Sequence, residues 1–330
     1  MLDAAILGLG WWGRTIVRTM RDSTHLRIIA ATDPNPAAAA FAHEHHLRFL
    51  PDEAAVLADP AIRAVILCTP HTLHAGQIAR AAAAGKHVFC EKPLGLTRAD
   101  AVASIEACTK AGVILGVGHE RRFEPPMLEL RRLVEAGALG DLLQIEANFS
   151  QDKFLALPPD NWRLSGAEAP AGPMTATGIH LLDLAASFLG PADSVLANVR
   201  QLGSPLTNGD TLGAMIRFRS GPSALIAAIL ATPFDGRFAI YGSKGWCEVR
   251  DRAHPETPMG WTMTTVIRGA ERDVREFPPA SPVRDNLDAF AIAATGGAPY
   301  PIPHAQMIAT VAALEAVFTS AASGEIVPVQ

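Results

Sequence analysis

Gly8-Leu9-Gly10-Trp11-Trp12-Gly13 follows the apolar run Ala4–Leu9 and opens a stretch of helical character, Trp12–Arg21. A G-x-G-x-x-G motif between a strand and a helix has a mechanical meaning. The first glycine makes the tight turn, the second lets backbone approach a pyrophosphate, and the third lets helix pack close to strand. Phosphates then sit at the helix N-terminus, where unpaired N–H groups and the dipole favour anions. Asp33 ends the next apolar run, Leu26–Thr32, about twenty residues on. A carboxylate there accepts both adenosine-ribose hydroxyls and repels a 2′-phosphate, and no Arg or Lys lies between Asp33 and His46 to counter it. Gly8, Gly10, Trp11, Trp12, Gly13 and Asp33 are therefore candidate dinucleotide contacts, and NAD is expected in preference to NADP.

Outward from this motif the same rhythm continues. Apolar runs at Ala64–Thr69, His87–Glu91 and Val113–Gly118 alternate with helical stretches at Pro36–His45, Leu73–Ala84 and Arg98–Ala111. Strands that are apolar throughout, alternating with helices, predict a parallel sheet covered on both faces. Residues 1–120 are thus expected to form an α/β Rossmann domain with a doubly wound parallel sheet. After Phe123 a helix (Met127–Ala136), a strand (Leu142–Ser150), a polar stretch and a helix ending near Phe188 lead into successive strand-like runs. These are Val195–Leu202, Thr211–Arg219, Ala224–Ala231, Arg237–Gly242, Trp246–Arg250 and Gly260–Arg268. Strands without intervening helices predict an α+β domain over 121–330 with a mostly antiparallel sheet, closed by helices at Val283–Ala294 and His304–Ala322.

Composition bounds the function. With 330 residues, two domains are the natural expectation. A net charge of −5 gives no general attraction to nucleic acid or to an anionic membrane. The four cysteines lack metal spacing, which points to reduced thiols in a cytoplasm. No segment reads as a continuous membrane span, and the N-terminus reads as a strand rather than a signal peptide. His43-Glu44-His45-His46 is not H-E-x-x-H, so no metal is expected.

Two further segments narrow the reading: Cys68-Thr69-Pro70-His71-Thr72-Leu73-His74 and Ala84-Gly85-Lys86-His87-Val88-Phe89-Cys90-Glu91-Lys92-Pro93. They resemble the signatures T-P-N-x-x-H and A-G-K-H-V-x-x-E-K-P of the Gfo/Idh/MocA family (glucose–fructose oxidoreductase, inositol dehydrogenase, rhizopine catabolism). The resemblance continues through Arg121-Arg122-Phe123, Asn161-Trp162-Arg163 and Gly178-Ile179-His180-Leu181-Leu182-Asp183. It implies an open C-terminal sheet that packs subunits into a homodimer or homotetramer, and a small polyhydroxylated substrate held between the domains beside the nicotinamide. It also implies that Thr69, Pro70, His71 and His74 line the cofactor, with His71 where the family usually has Asn. Glu91 is then expected near the nicotinamide ribose and Lys92 at the reacting carbon, with a cis bond before Pro93 able to aim it.

Lys92 suits alcohol oxidation. It either exchanges a proton with the substrate oxygen or stays charged beside the developing alkoxide; a plain ion pair with Glu91 is the structural alternative. The resemblance gives His180 a substrate hydrogen bond and acid–base work, and Asp183 the orientation of that site; a buried structural pair is the alternative for these two. The inositol-dehydrogenase-like pattern D-x-x-x-H-x-x-D is broken, because Ala176 stands four residues before His180. Glu120 or Asp183 could replace the missing carboxylate. His119, Glu120, Arg122, Trp162 and Arg163 are further candidate substrate contacts. The expected activity is NAD-dependent dehydrogenation or reduction at a CH–OH carbon of a sugar, cyclitol or sugar acid. An NAD-retaining glycosidase-like enzyme without net redox and a non-catalytic NAD-dependent sensor are the alternatives.

Overall fold

The computed structural model describes residues 1–255 and 257–330. The chain divides into two compact units, Met1–Glu120 with Ser281–Ile308, and Arg121–Ala280 with Ala309–Gln330.

The first unit is built on β1 (Leu2–Leu7), β2 (Leu26–Thr32), β3 (Arg48–Phe49), β4 (Ala64–Leu67), β5 (His87–Cys90) and β6 (Leu115–Val117). All five pairings are parallel and the order is β3-β2-β1-β4-β5-β6. Helices α1 (Trp11–Thr19), α2 (Ala38–Glu44), α3 (Glu53–Ala58), α4 (His74–Ala83) and α5 (Arg98–Ala111) connect the strands. Every side chain of β4 is buried, as a doubly covered strand requires. Helix α5 begins at a capping box, with Asp100 N–H donating to Thr97 Oγ1 at 3.1 Å, and ends at left-handed Gly112. The chain leaves β1 for one side of the sheet and later returns to build the other. The β1–β4 boundary is therefore the switch point at which ligands bind beyond the strands' carboxyl ends. The two-residue β3 and the six-residue α3 were not expected, being too short to carry a period.

The second unit holds a nine-stranded sheet made of β7 (Leu142–Ser150), β8 (Ala192–Arg200), β9 (Thr211–Phe218), β10 (Ser223–Ile229), β11 (Asp235–Gly242), β12 (Gly245–Asp251), β13 (Trp261–Ile267), β14 (Asp273–Phe277) and β15 (Val327–Pro328). The order is β14-β13-β12-β11-β7-β10-β9-β8-β15, antiparallel except where β7 meets β10. Along β9 and β10 buried residues alternate with more open ones, so one face packs inward. Ile145, Ile216, Ile226 and Phe238 share that core with Leu181, Leu182 and Leu184 of α7 (Ile179–Leu189), while α6 (Pro125–Glu135) adds Met127 and Leu130. Strand β14 escaped the sequence reading because its residues are mostly exposed and charged, with no apolar alternation.

The uninterrupted second domain expected over 121–330 is corrected by the return of Ser281–Ile308 to the first unit. Helix α8 (Pro282–Ala294) lays Leu287, Phe290, Ala291 and Ala294 into that unit's core. A Cβ on Gly116 would stand 2.9 Å from the rings of both Phe89 and Phe290, so the glycine permits the contact. A closed ring of hydrogen bonds fixes it: Val117 N–H to Tyr300 OH (3.2 Å), Tyr300 OH to Asn286 Oδ1 (2.6 Å), and Asn286 Nδ2 to Val117 O (2.9 Å).

The expectation that no segment reaches spanning length is also corrected. Helix α9 (His304–Ser323) is long and apolar enough by length and composition, with a mean hydropathy of 1.4 over its most apolar stretch. Its Val317, Leu314 and Ala313 nevertheless belong to the core of the second unit, and Ser320 Oγ accepts from Ala197 N–H at 2.9 Å. These are the contacts of a core helix.

Candidate functional site

The nucleotide side begins at the switch point. Gly8 has φ +95°, and a Cβ there would lie 2.5 Å from Cys68 O on the neighbouring strand's exit. A Cβ on Gly13 would overlap Gly8 O, so helix and strand close to a distance only glycine allows. At Gly10 a Cβ would meet nothing within 4 Å, and this residue caps α1 with no side-chain hydrogen bond. An uncapped helix N-terminus behind open space is what a pyrophosphate requires. Asp33 stands at the end of β2, where Oδ2 accepts from Leu9 N–H at 2.7 Å and Oδ1 from Asn35 N–H at 2.8 Å. The carboxylate thus holds the glycine turn in place and retains lone pairs for a ribose. Trp11 is exposed, whereas Trp12 is half-buried and packs on the core of the unit, 5.7 Å from the Trp11 ring. These residues fit NAD: a glycine turn, an open approach, an uncapped helix end and a carboxylate with free acceptor capacity lie together.

The exits of β4 and β5 supply the next layer. Thr69 Oγ1 donates to Gln77 Oε1 at 2.5 Å, and Gln77 Nε2 donates to Glu53 Oε2 at 3.3 Å. Pro70 leads a short turn holding buried His71, whose ring lies 5.8 Å from that of His74. The placement of His74 differs from a cofactor-lining role. It is fully buried, with Nδ1 2.7 Å from Pro93 O and Nε2 3.1 Å from Thr69 O, so both ring nitrogens face backbone of the two loops. His74 ties the Thr69 and Pro93 loops together. Sequence reading placed it on the ligand because a motif gives spacing and no direction.

Glu91 is buried and its Oε2 accepts from the Lys92 backbone N–H at 3.2 Å; the Lys92–Pro93 bond is cis and the Lys92 side chain is half-buried. Gly118, just past β6, was read only as a strand end. A Cβ there would stand 2.5 Å from Glu91 Oε2 and 2.6 Å from its Oε1, so the carboxylate occupies the space a side chain would need. Gly118→Ala is expected to displace Glu91, cost about 1–3 kcal/mol of stability and weaken NAD⁺ binding; thermal unfolding and cofactor titration check both. His119 and Glu120 follow directly and are buried.

The second unit gathers the other candidates. A single π-turn, Met174–Gly178, precedes α7, a distortion frequent at functional sites. His180 is buried with its ring 6.0 Å from that of Phe149. Asp183 is bound to Arg122: Nε to Oδ2 and Nη2 to Oδ1, both at 2.6 Å, while Thr310 Oγ1 donates to Oδ1 at 3.2 Å. Both residues were expected at the substrate; the structure joins them to each other, a buried fork-to-carboxylate pair that ties Arg122 to Asp183 on α7. Ala176, where a carboxylate was missed, packs on Phe154, Leu206 and Leu230. An acid at that place would lie against apolar side chains. Trp162 and Arg163 form a half-buried turn with Arg163 Cζ 4.3 Å from the Trp162 ring centre.

Around Phe149 lie residues the sequence reading missed. His254 packs 5.9 Å from its ring, and Lys153 Nζ donates to His254 Nδ1 at 2.9 Å. Burial first, then the charges of Lys153 and Arg121, push the His254 imidazole down to about 3, so it is neutral near pH 7. Arg121 is fully buried between Asp251 (2.6 Å) and Glu124 (3.0 Å), 5.2 Å over the Phe149 ring. These contacts join residues as far apart as 121 and 251, beyond the reach of any local pattern.

Comparison with known proteins places this architecture. Residues 2–119 match a family described as an oxidoreductase family with an NAD-binding Rossmann fold, and residues 127–248 match the GFO/IDH/MocA C-terminal domain. The chain is 32% identical over 251 residues to scyllo-inositol 2-dehydrogenase (NAD(+)) of Bacillus subtilis strain 168, covering 73% of this chain and 71% of that protein. It is 30% identical over 250 residues to inositol 2-dehydrogenase of Rhizobium meliloti strain 1021, with 73% of each covered. Among solved structures, aldose-aldose oxidoreductase from Caulobacter crescentus complexed with glycerol superposes with a TM-score of 0.87 at 28% identity, covering 99% of both chains. By both of its matched ranges, and with its parallel first sheet and mostly antiparallel second sheet, the chain belongs to the GFO/IDH/MocA oxidoreductase family.

Proposed function

We propose that the protein transfers hydride between NAD and a hydroxyl-bearing carbon of a sugar, cyclitol or sugar acid. The observation that carries this reading is the shared edge of the parallel sheet. Gly8, Asp33, Thr69 and Glu91-Lys92 leave the carboxyl ends of β1, β2, β4 and β5 in one six-stranded sheet, so cofactor-holding groups and a lysine converge there. The relatives are named inositol dehydrogenases and an aldose oxidoreductase, which supports a polyhydroxylated substrate.

Bound NAD⁺ supplies the hydride acceptor. The carbinol carbon loses hydride, its hydroxyl loses a proton, and the products are a carbonyl compound, NADH and H⁺. Lys92 Nζ holds the substrate oxygen and takes or steadies that proton. His180 is the second proton-handling group, and the Arg122–Asp183 pair fixes the helix that carries it. Lys153 and His254 flank His180 through Phe149 and present donors to hydroxyls or a carboxylate.

The protein is further proposed to work in the cytoplasm as a homodimer or homotetramer. The sheet face turned away from α7 exposes Leu196 and Leu225 beside a hollow of about 750 Å³, an apolar surface suited to a second copy. The activity test is NADH absorbance on mixing the protein and NAD⁺ with a panel of sugars, cyclitols and sugar acids. A rise with one substrate group is the expected result. Silence across the panel from protein that binds NAD⁺ overturns the dehydrogenase reading, and cleavage of a glycoside in the same preparation would put the NAD-retaining alternative in its place.

A further inference from the structure

The sequence offers no cation between Asp33 and His46 to meet a ribose 2′-phosphate. Tertiary structure brings one from α1. Arg14 Nε donates to Leu9 O at 2.9 Å, while Leu9 N–H donates to Asp33 Oδ2 at 2.7 Å. One residue of the glycine turn therefore anchors a guanidinium and a carboxylate together. The Arg14 Cζ also lies 5.0 Å from the ring centre of Phe41 on α2, the helix that follows Asp33. Arg18, one turn further along α1, stands 5.2 Å from the same ring.

Neither Arg14 nor Arg18 forms an ion pair with a carboxylate among the described residues. Two guanidiniums four residues apart on one helix repel each other, and the Phe41 ring receives both without neutralising either. Leu9 O engages Arg14 through Nε, which leaves the two Nη groups as a fork for oxyanions.

We propose that Arg14 is a cofactor-selectivity residue: its Nη groups recognise a phosphate on the adenosine ribose, and Asp33 alone keeps NADP from using it. The site is then one charge away from accepting NADP. This rests on the NAD-binding reading of the first unit and not on the substrate, so its test is cofactor binding with no substrate present.

The test titrates full-length protein calorimetrically with NAD⁺ and with NADP⁺. Wild type, Asp33→Asn, Arg14→Met and the double variant are compared by the ratio of the two dissociation constants. Asparagine keeps a carbonyl for the Leu9 N–H while removing the charge. Asp33→Asn is expected to move the ratio towards NADP by about tenfold or more, and adding Arg14→Met to return about tenfold of that gain, the worth of a charge-assisted hydrogen bond. Arg14→Met in the native Asp33 background should widen the preference for NAD by a similar factor, which keeps the test available if the Asp33 variant fails to fold. If Arg14 only supports the turn through Leu9 O, both affinities fall together. An unmoved ratio in both backgrounds overturns the proposal, whatever the result of the substrate panel.

Discussion

Lys92→Ala is expected to slow NAD⁺ reduction by about 10²–10⁴-fold, the contribution of one positioned proton-transfer group, while the protein still binds the cofactor. The backbone of the loop is held by groups other than the lysine side chain. The Lys92 backbone N–H is held by Glu91 Oε2 at 3.2 Å, Pro93 O is held by His74 Nδ1 at 2.7 Å, and Leu94 is buried. The alanine variant should therefore keep its melting temperature and its calorimetric NAD⁺ titration. Lys92→Arg separates the two roles open to the lysine. An arginine preserves charge but does not accept a proton near neutral pH. Recovery of rate in that variant means Lys92 stabilises an alkoxide; a rate as low as that of the alanine variant means it exchanges the proton. A rate for Lys92→Ala within about tenfold of wild type would remove the residue from the chemistry.

Asp183→Ala is expected to destabilise the second unit by about 3–5 kcal/mol, because it removes the paired carboxylate from a buried guanidinium. The side chains of Arg122 and Asp183 are 8% and 2% exposed, so solvent screening gives little relief. Thr310 loses an acceptor at the same time. On a unit of this size the loss corresponds to a fall in melting temperature on the order of 10 °C. Replacing both partners, Arg122→Met with Asp183→Leu, should recover most of that stability, since a buried pair exchanged for apolar groups of similar volume is often neutral. Calorimetry of the two single variants and the double checks this. A single-variant cost below about 1 kcal/mol would mean the pair behaves like an exposed one. The folded double variant also reports on function: substantial remaining activity confines Asp183 to anchoring α7, and its loss would return Asp183 to the substrate.

Much of the first unit was legible because its determinants are local. Strand β4 is four consecutive buried apolar residues, α5 carries its own capping box and terminal glycine, and the glycine turn needs no residue outside Gly8–Gly13 to announce its conformation. The NAD-binding Rossmann fold and the mostly antiparallel second sheet were read from such features. Strands β3, β14 and β15 were not, since edge strands of two to five largely open residues are stabilised by a neighbour rather than by a buried pattern of their own.

The candidate site divides along the same line. Sequence by itself determined which residue types stand at the ends of β1, β2, β4 and β5, because strand, turn and helix signals lie within a few residues of one another. Tertiary structure decided where those side chains go. It turned His74 onto two backbone carbonyls, joined Arg122 to Asp183 across sixty-one positions of chain, and set Arg14 beside the turn that Asp33 holds. It also returned helix α8 to the first unit through Gly116 and Phe290. Backbone conformation follows from short-range sterics and hydrophobic period, which a linear pattern records. The partner of a buried charge or a ring nitrogen depends on distance in space, and only the packed chain sets that distance.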